Sequence, residues 1–116
     1  DHTEEGVANF HLVFLLKLTR FLGFYPDLKQ AEKLRFFDLK DGVFVANQPP
    51  HIYFIEEELK ENWLKLFTSS IENFNQLKIS VVLRKVLLHK IIQFYSLHIE
   101  DFGQVKSHEI LEEVLG

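Results

Sequence analysis

Apolar residues at helical spacing mark the first long segment of the chain. Between Val7 and Leu22 they recur every three or four residues and spread over more than one side of the helix that this spacing predicts. Such a helix is expected to be central in the fold and covered on most of its sides. Gly23 and Pro26 should end it, because glycine adopts the left-handed conformation that closes helices and proline cannot continue one.

After the first helix, the apolar residues follow one another more closely than the spacing of a helix requires. Two apolar runs, 35–39 and 43–45, stand on either side of Asp41 and Gly42, and an Asp-Gly pair in that position is a strong hairpin signal. The segment 47–51 follows and contains two consecutive prolines, so an extended connector is expected there.

Three further helices are predicted in the second half of the chain. One should begin between residues 53 and 56 and run to Phe67, with glutamates in its first turns, where the helix dipole favours negative charge. A longer one should run from Ser80, as its N-cap, to about Ile99, and a short one should follow Ser107. The polar side of the long helix carries Lys85, His89, Gln93 and Ser96.

Composition fits one globular domain. Of the 116 residues, 47% are hydrophobic and 26% are charged. We therefore expect a mainly α fold: a single helical domain over residues 1–116 with about four helices, and a small β-hairpin inserted between the first and second long helices.

No segment has the length and apolarity of a membrane span. The most apolar stretch, 10–25, is interrupted by Lys17 and Arg20, and the acidic N-terminal residues do not resemble a signal peptide. A cytoplasmic protein without membrane contacts is expected. The chain contains no Met, so we also expect that it was cut from a longer protein.

Motifs for catalysis and cofactor binding are missing from the sequence. Without cysteine there is no disulfide, thiolate zinc site or cysteine nucleophile. The five glycines are isolated, which excludes phosphate-binding loops of the dinucleotide and P-loop types, and no two histidines stand at the spacing that puts two metal ligands on one helical face. No catalytic residue, metal ligand or cofactor is therefore assigned, and an enzyme is the least favoured class of function.

Positive charge is concentrated in two segments. Residues 11–40 hold six Lys or Arg against three Asp or Glu, and residues 78–106 hold five against two, a net charge of +3 in each. If the first helix packs against the long helix after Ser80, these cations would form one basic face suited to phosphates or an acidic peptide. The alternative is that they only solvate the surface. The candidate partner-binding or anion-binding residues are Lys17, Arg20, Phe21, Arg84, Lys85, Lys90 and Lys106.

Three segments together resemble a known family. They are 10–28 with its G-x-x-P-x-L turn, 37–44, and the F-Y-x-L-H segment 94–98 followed by Lys106-Ser107. From about Ala8 to Leu115 the combination resembles the C-terminal helical domain of RecO, a bacterial DNA repair and recombination mediator, in its Bacteroidetes-like form.

Two departures limit what this resemblance implies. Many members of the family carry a four-cysteine zinc site after the G-x-x-P-x-L turn, but this chain has no Cys, so zinc binding is not carried over. The family's N-terminal OB-fold is absent from the chain. Full strand-annealing or strand-loading activity is therefore not expected of it.

The resemblance implies a non-enzymatic binding module. RecO proteins bind single-stranded DNA and the single-stranded-DNA-binding protein, and they cooperate with RecR. The helical domain is associated with capture of that protein's acidic C-terminal tail, which requires an apolar pocket rimmed by cations. Phe24, Tyr25 and Phe94 are candidate apolar neighbours of the cations named above. The alternative function is a helical protein–protein interaction scaffold unrelated to DNA, which an exposed apolar patch without cations would favour.

Overall fold

The computed structural model describes residues 2–70, 72–73 and 77–100. Within these residues the fold is mainly helical, with a small antiparallel sheet. The elements in chain order are α1 (His2–Leu22), β1 (Phe36–Asp38), β2 (Val43–Val45), β3 (Phe54–Ile55), α2 (Glu57–Thr68) and α3 (Val81–His98). Three helices are thus described where about four are predicted, because the helix predicted after Ser107 lies outside the described residues.

The first helix is longer than the apolar pattern predicts. It begins at His2 and not at Val7, since its polar first turns contribute nothing to the apolar period. Its end follows the prediction: Gly23 has a φ of +94°, and the N–H groups of Gly23 and Phe24 donate to the carbonyl of Thr19 at 2.9 and 3.0 Å.

The sheet contains a strand that the sequence analysis missed. Its strand order is β2-β1-β3, and Phe37 of β1 pairs with Phe44 on one side and Ile55 on the other. Because β3 occupies residues at which the second helix was expected to begin, α2 begins only at Glu57. A strand of two residues is too short to produce a recognisable alternation of apolar and polar residues. It forms here because β1 supplies the pairing partner.

Asp38 fixes the turn between β1 and β2. Its Oδ1 accepts the backbone N–H groups of Lys40 and Asp41 at 2.9 and 3.0 Å, and its Oδ2 lies 3.1 Å from His51 Nε2. The backbone N–H of Tyr53 donates to His51 Nδ1, so Nε2 is the nitrogen that carries the proton towards Asp38. This carboxylate therefore ties the turn to the connector that leads into β3.

The core lies where the three helices meet the sheet. α1 packs against both α2 and α3, and α2 also covers β1 and β3. Trp63 and Phe67 of α2, Phe37 of β1 and Phe94 of α3 are fully buried, and their rings contact one another edge to face or tilted. No helix in the described ranges is long and apolar enough to cross a membrane.

Candidate functional site

The turn after α1 packs against the last turns of α3. The ring of Phe24 lies 5.0 Å from that of Phe94 and 5.3 Å from that of Tyr95, both edge to face. It stacks on the imidazole of His98 at 5.1 Å with an interplanar angle of 5°. Two of the three family-like segments are therefore joined through aromatic contacts.

The third segment joins them through His98. Its Nε2 lies 2.8 Å from the carbonyl oxygen of Leu39, which can only accept, so Nε2 carries the proton. Gly42 has a φ of +70°, and a Cβ at this position would lie 3.5 Å from the His98 ring. We call Phe24, Leu39, Gly42, Phe94 and His98 the motif cluster. The described contacts of these five residues lie within the fold, so the motif cluster helps to hold the elements of the fold together.

Three candidate residues lie near the end of α1. Lys17 Nζ donates to the carbonyl of Phe67 at 3.0 Å, and the guanidinium of Arg20 lies 4.5 Å from the centre of the Tyr25 ring. Phe21 is 85% exposed. Partial burial, followed by the positive charge of Arg20, lowers the pKa of Lys17 below its usual value.

Lys90 lies apart from the three candidate residues at the end of α1. Its Nζ donates to the carbonyl of Phe54 at 2.9 Å and lies 3.4 Å from a carboxylate oxygen of Glu56. Phe54 precedes α2 and Phe67 is near its end, so Lys90 and Lys17 are held at opposite ends of this helix, about 15 Å apart along its axis. Although α1 and α3 do pack together, this packing does not bring Lys17 and Lys90 to one site.

The other candidates differ in exposure. Lys85 is exposed on α3, whereas Arg84 is half-buried and its Nη1 is shielded from solvent. Lys106 lies outside the described residues. Phe94 is fully buried, so it is not available to a ligand as the sequence analysis expected.

An apolar surface around Lys85 escaped the sequence analysis. Val82 is 74% exposed and Val86 is 40% exposed, although apolar residues of an amphipathic helix are expected on its inner side. The sequence does contain a signal for their exposure. Val86 and Val82 precede His89 by three and seven residues, and residues at these spacings share one face of a helix. Because His89 belongs to the polar side of α3, both valines lie on that side as well. We call the surface formed by Val81, Val82, Lys85 and Val86 the α3 patch.

The outward side of α1 is a second exposed apolar surface. Val7, Phe14 and Phe21 are 51%, 44% and 85% exposed, on the opposite side of the helix from buried Leu12 and Leu16. The expectation that α1 is covered on most of its sides is thus wrong for this face. We call Val7, Phe14 and Phe21 the α1 stripe.

Two grooves flank the last turns of α2. One is lined by two lysines together with polar and apolar residues, among them Lys65, Lys78, Asn62 and Leu77. The other is lined by two lysines and a glutamate beside apolar residues, among them Lys29, Lys33, Glu32 and Leu64. Within the described part of the chain, no group of three His, Asp or Glu residues is arranged to hold a metal ion.

Comparison with known proteins identifies the family. The family model described as "Recombination protein O C terminal" matches residues 1–109. The chain belongs to the RecO family. The DNA repair protein RecO of Azobacteroides pseudotrichonymphae is 37% identical to it over 116 residues, and that alignment covers 98% of this chain and 47% of the relative.

Other RecO proteins show the same extent of similarity. The DNA repair protein RecO of Flavobacterium johnsoniae is 37% identical over 114 residues, covering 98% of this chain and 46% of the relative. That of Bacteroides fragilis is 34% identical over 115 residues, covering 98% and 48%. The chain therefore spans about half the length of the curated RecO relatives it matches. No solved structure matches it significantly.

Proposed function

We propose that this chain is the helical part of a DNA repair and recombination mediator of the RecO type. It acts as a non-enzymatic module that binds the acidic C-terminal tail of the single-stranded-DNA-binding protein. Membership of the RecO family is the observation that carries this proposal, and it favours a role in DNA repair over a scaffold unrelated to DNA. The role would place the protein in the cytoplasm, with the chromosome.

The α3 patch has the chemistry that such a tail requires. An acidic peptide with an apolar end needs apolar surface for its last side chain and a cation for its carboxylates. Val82 and Val86 supply exposed apolar surface on the same side of α3 as the exposed ammonium of Lys85. Both valines are β-branched and have restricted side-chain rotamers, so little side-chain entropy is lost on binding.

Lys85 is better suited to this role than the other cations on α3. The ammonium of Lys90 already has Phe54 and Glu56 as partners, and Arg84 is half-buried with its Nη1 shielded from solvent. The exposed Arg20 and Phe21 at the end of α1 form the second candidate position for the tail. RecR and single-stranded DNA are further proposed partners, on the ground of family membership alone, and no described residue is assigned to either of them.

Fluorescence anisotropy tests the proposal. A labelled peptide with the acidic tail sequence is titrated with the chain at about 50 and about 200 mM salt. We expect saturable binding that weakens with salt, and an about tenfold loss of affinity in Lys85→Glu, because the variant places a carboxylate where the peptide needs a cation.

Two matched variants locate the site. Lys40→Glu reverses an exposed charge in the hairpin turn and should leave the affinity unchanged. Arg20→Glu tests the second position: if it weakens binding while Lys85→Glu does not, the tail binds at the end of α1. Absence of binding at the lower salt concentration, with circular dichroism showing a folded chain, would refute tail capture.

A further inference from the structure

His89 lies on α3 directly beside the α3 patch. It follows Lys85 by four residues and Val86 by three, and residues at these spacings are neighbours on one face of a helix. Its side chain is exposed, and within the part of the chain that the structure describes it makes no hydrogen bond, ion pair or ring contact. The imidazole is therefore accessible to a ligand that lies on the patch.

The exposed side chains of this face form two rows along α3. Val82 and Val86 form an apolar row, and Lys85 and His89 form a polar row beside it, with the two members of each row about one turn apart. Four residues advance about 6 Å along a helix, and alternate residues of an extended peptide are about 6.8 Å apart. Two carboxylates of an extended peptide, separated by one residue, can therefore reach Lys85 and His89 together.

The charged groups near His89 leave its own charge free to act on a ligand. On α3 these groups are Lys85, which is exposed, and Lys90, which lies 3.4 Å from Glu56 and is thereby paired. The helix α1 packs against α3, but none of its described charged side chains contacts His89. In the described ranges no carboxylate is therefore paired with His89, and an acidic peptide would supply one.

We propose that His89 is an affinity-determining residue of the tail site and makes the binding of the acidic tail depend on pH. This inference rests on the proposed function, because it concerns the same site. An imidazole gains its proton as the pH falls from about 8 to about 5, which makes His89 a second cation beside Lys85. The carboxylates of the tail keep their negative charge over this range. The tail therefore binds more tightly as the pH falls.

Fluorescence anisotropy of the labelled tail peptide with the whole chain, at about pH 5.5 and about pH 7.5, tests this role. The affinity should be about threefold higher at the lower pH, which is the size expected for one exposed ion pair. His89→Gln should abolish the difference, because the amide does not titrate. His89→Lys should bind at the higher pH as tightly as the original chain binds at the lower pH. Gln48→Lys is the matched control: it adds a cation at an exposed position outside α3 and should leave the affinity unchanged.

Titration calorimetry at about pH 6.5 gives a second readout. Proton uptake on binding makes the measured heat depend on the ionisation enthalpy of the buffer, and His89→Gln should lose this dependence. Saturable binding with equal affinity at both pH values, or the same pH dependence in His89→Gln, would overturn the role of His89 and leave tail capture standing. Absence of binding at both pH values, in a chain that circular dichroism shows to be folded, would overturn tail capture and the role of His89 together.

Discussion

The motif cluster and the α3 patch differ in what the sequence reveals about them. The cluster contains the residues that make the chain recognisable as a RecO protein, and they contact one another inside the fold. The patch belongs to no motif, yet it presents valines and a lysine to solvent. Residues that identify a family need not be residues that bind its partners, because a fixed interior can support many different surfaces.

The largest expected difference between the two regions is in stability. Phe94→Ala removes a buried ring that contacts Phe24, Phe37 and Trp63, and it should lower the free energy of unfolding by about 3–5 kcal/mol. Val86→Ala on the same helix should change it by less than about 0.5 kcal/mol. Urea denaturation measures both. Similar losses in the two variants would show that the α3 patch is also part of the core.

Two histidines of α3, one in the motif cluster and one exposed, allow the two regions to be compared with matched substitutions. His98→Phe keeps a ring against Phe24 but leaves the carbonyl of Leu39 without the Nε2 donor, at a cost of about 1–3 kcal/mol. His89→Phe makes the same change on the exposed side of α3 and should be nearly neutral. Thermal unfolding of the two variants compares them directly. An unchanged melting temperature for His98→Phe would contradict the role given to its hydrogen bond.

The smallest expected effect concerns Tyr95, whose hydroxyl donates to the carbonyl of Leu15 at 2.6 Å and so links α3 to α1. Burial raises the pKa of this phenol, so the folded chain keeps the proton at a pH at which the unfolded chain loses it. The stability from this group is therefore fully present below about pH 10 and is lost as the pH rises further.

Tyr95→Phe tests that link. The variant should be less stable by about 1 kcal/mol at neutral pH. Its stability should also fall less steeply above about pH 10 than that of the original chain. Urea denaturation at several pH values measures both effects. Parallel pH profiles for the two proteins would show that this phenol does not contribute to the alkaline loss.

Local signals in the sequence predicted the end of α1 and the start of α3. Gly23 ends α1 as expected, and Ser80 caps α3, where its Oγ accepts the N–H of Leu83 at 3.1 Å. These features depend on backbone groups within a few residues, so a sequence contains the necessary information. The family-like segments were likewise sufficient to identify the RecO family.

Features that depend on tertiary packing could not be predicted in the same way. Strand β3 exists because β1 is next to it, and Lys17 and Lys90 are separated because each binds a carbonyl at a different end of α2. Apolar spacing also failed to show that Val82 faces solvent, since a helix with apolar residues on several sides has no unique inner face. The place of a binding surface on the fold is therefore the feature that is hardest to predict from the sequence.

Binding of the acidic tail to the α3 patch is the proposal from which the other binding predictions follow. Amide chemical-shift mapping of the isotope-labelled chain, titrated with the unlabelled tail peptide, tests it most directly. We expect saturable shifts at residues 81–86, with little change at Phe24 and His98 in the motif cluster. Saturable shifts confined to the end of α1, or no shifts in a chain that gives the spectrum of a folded protein, would contradict it.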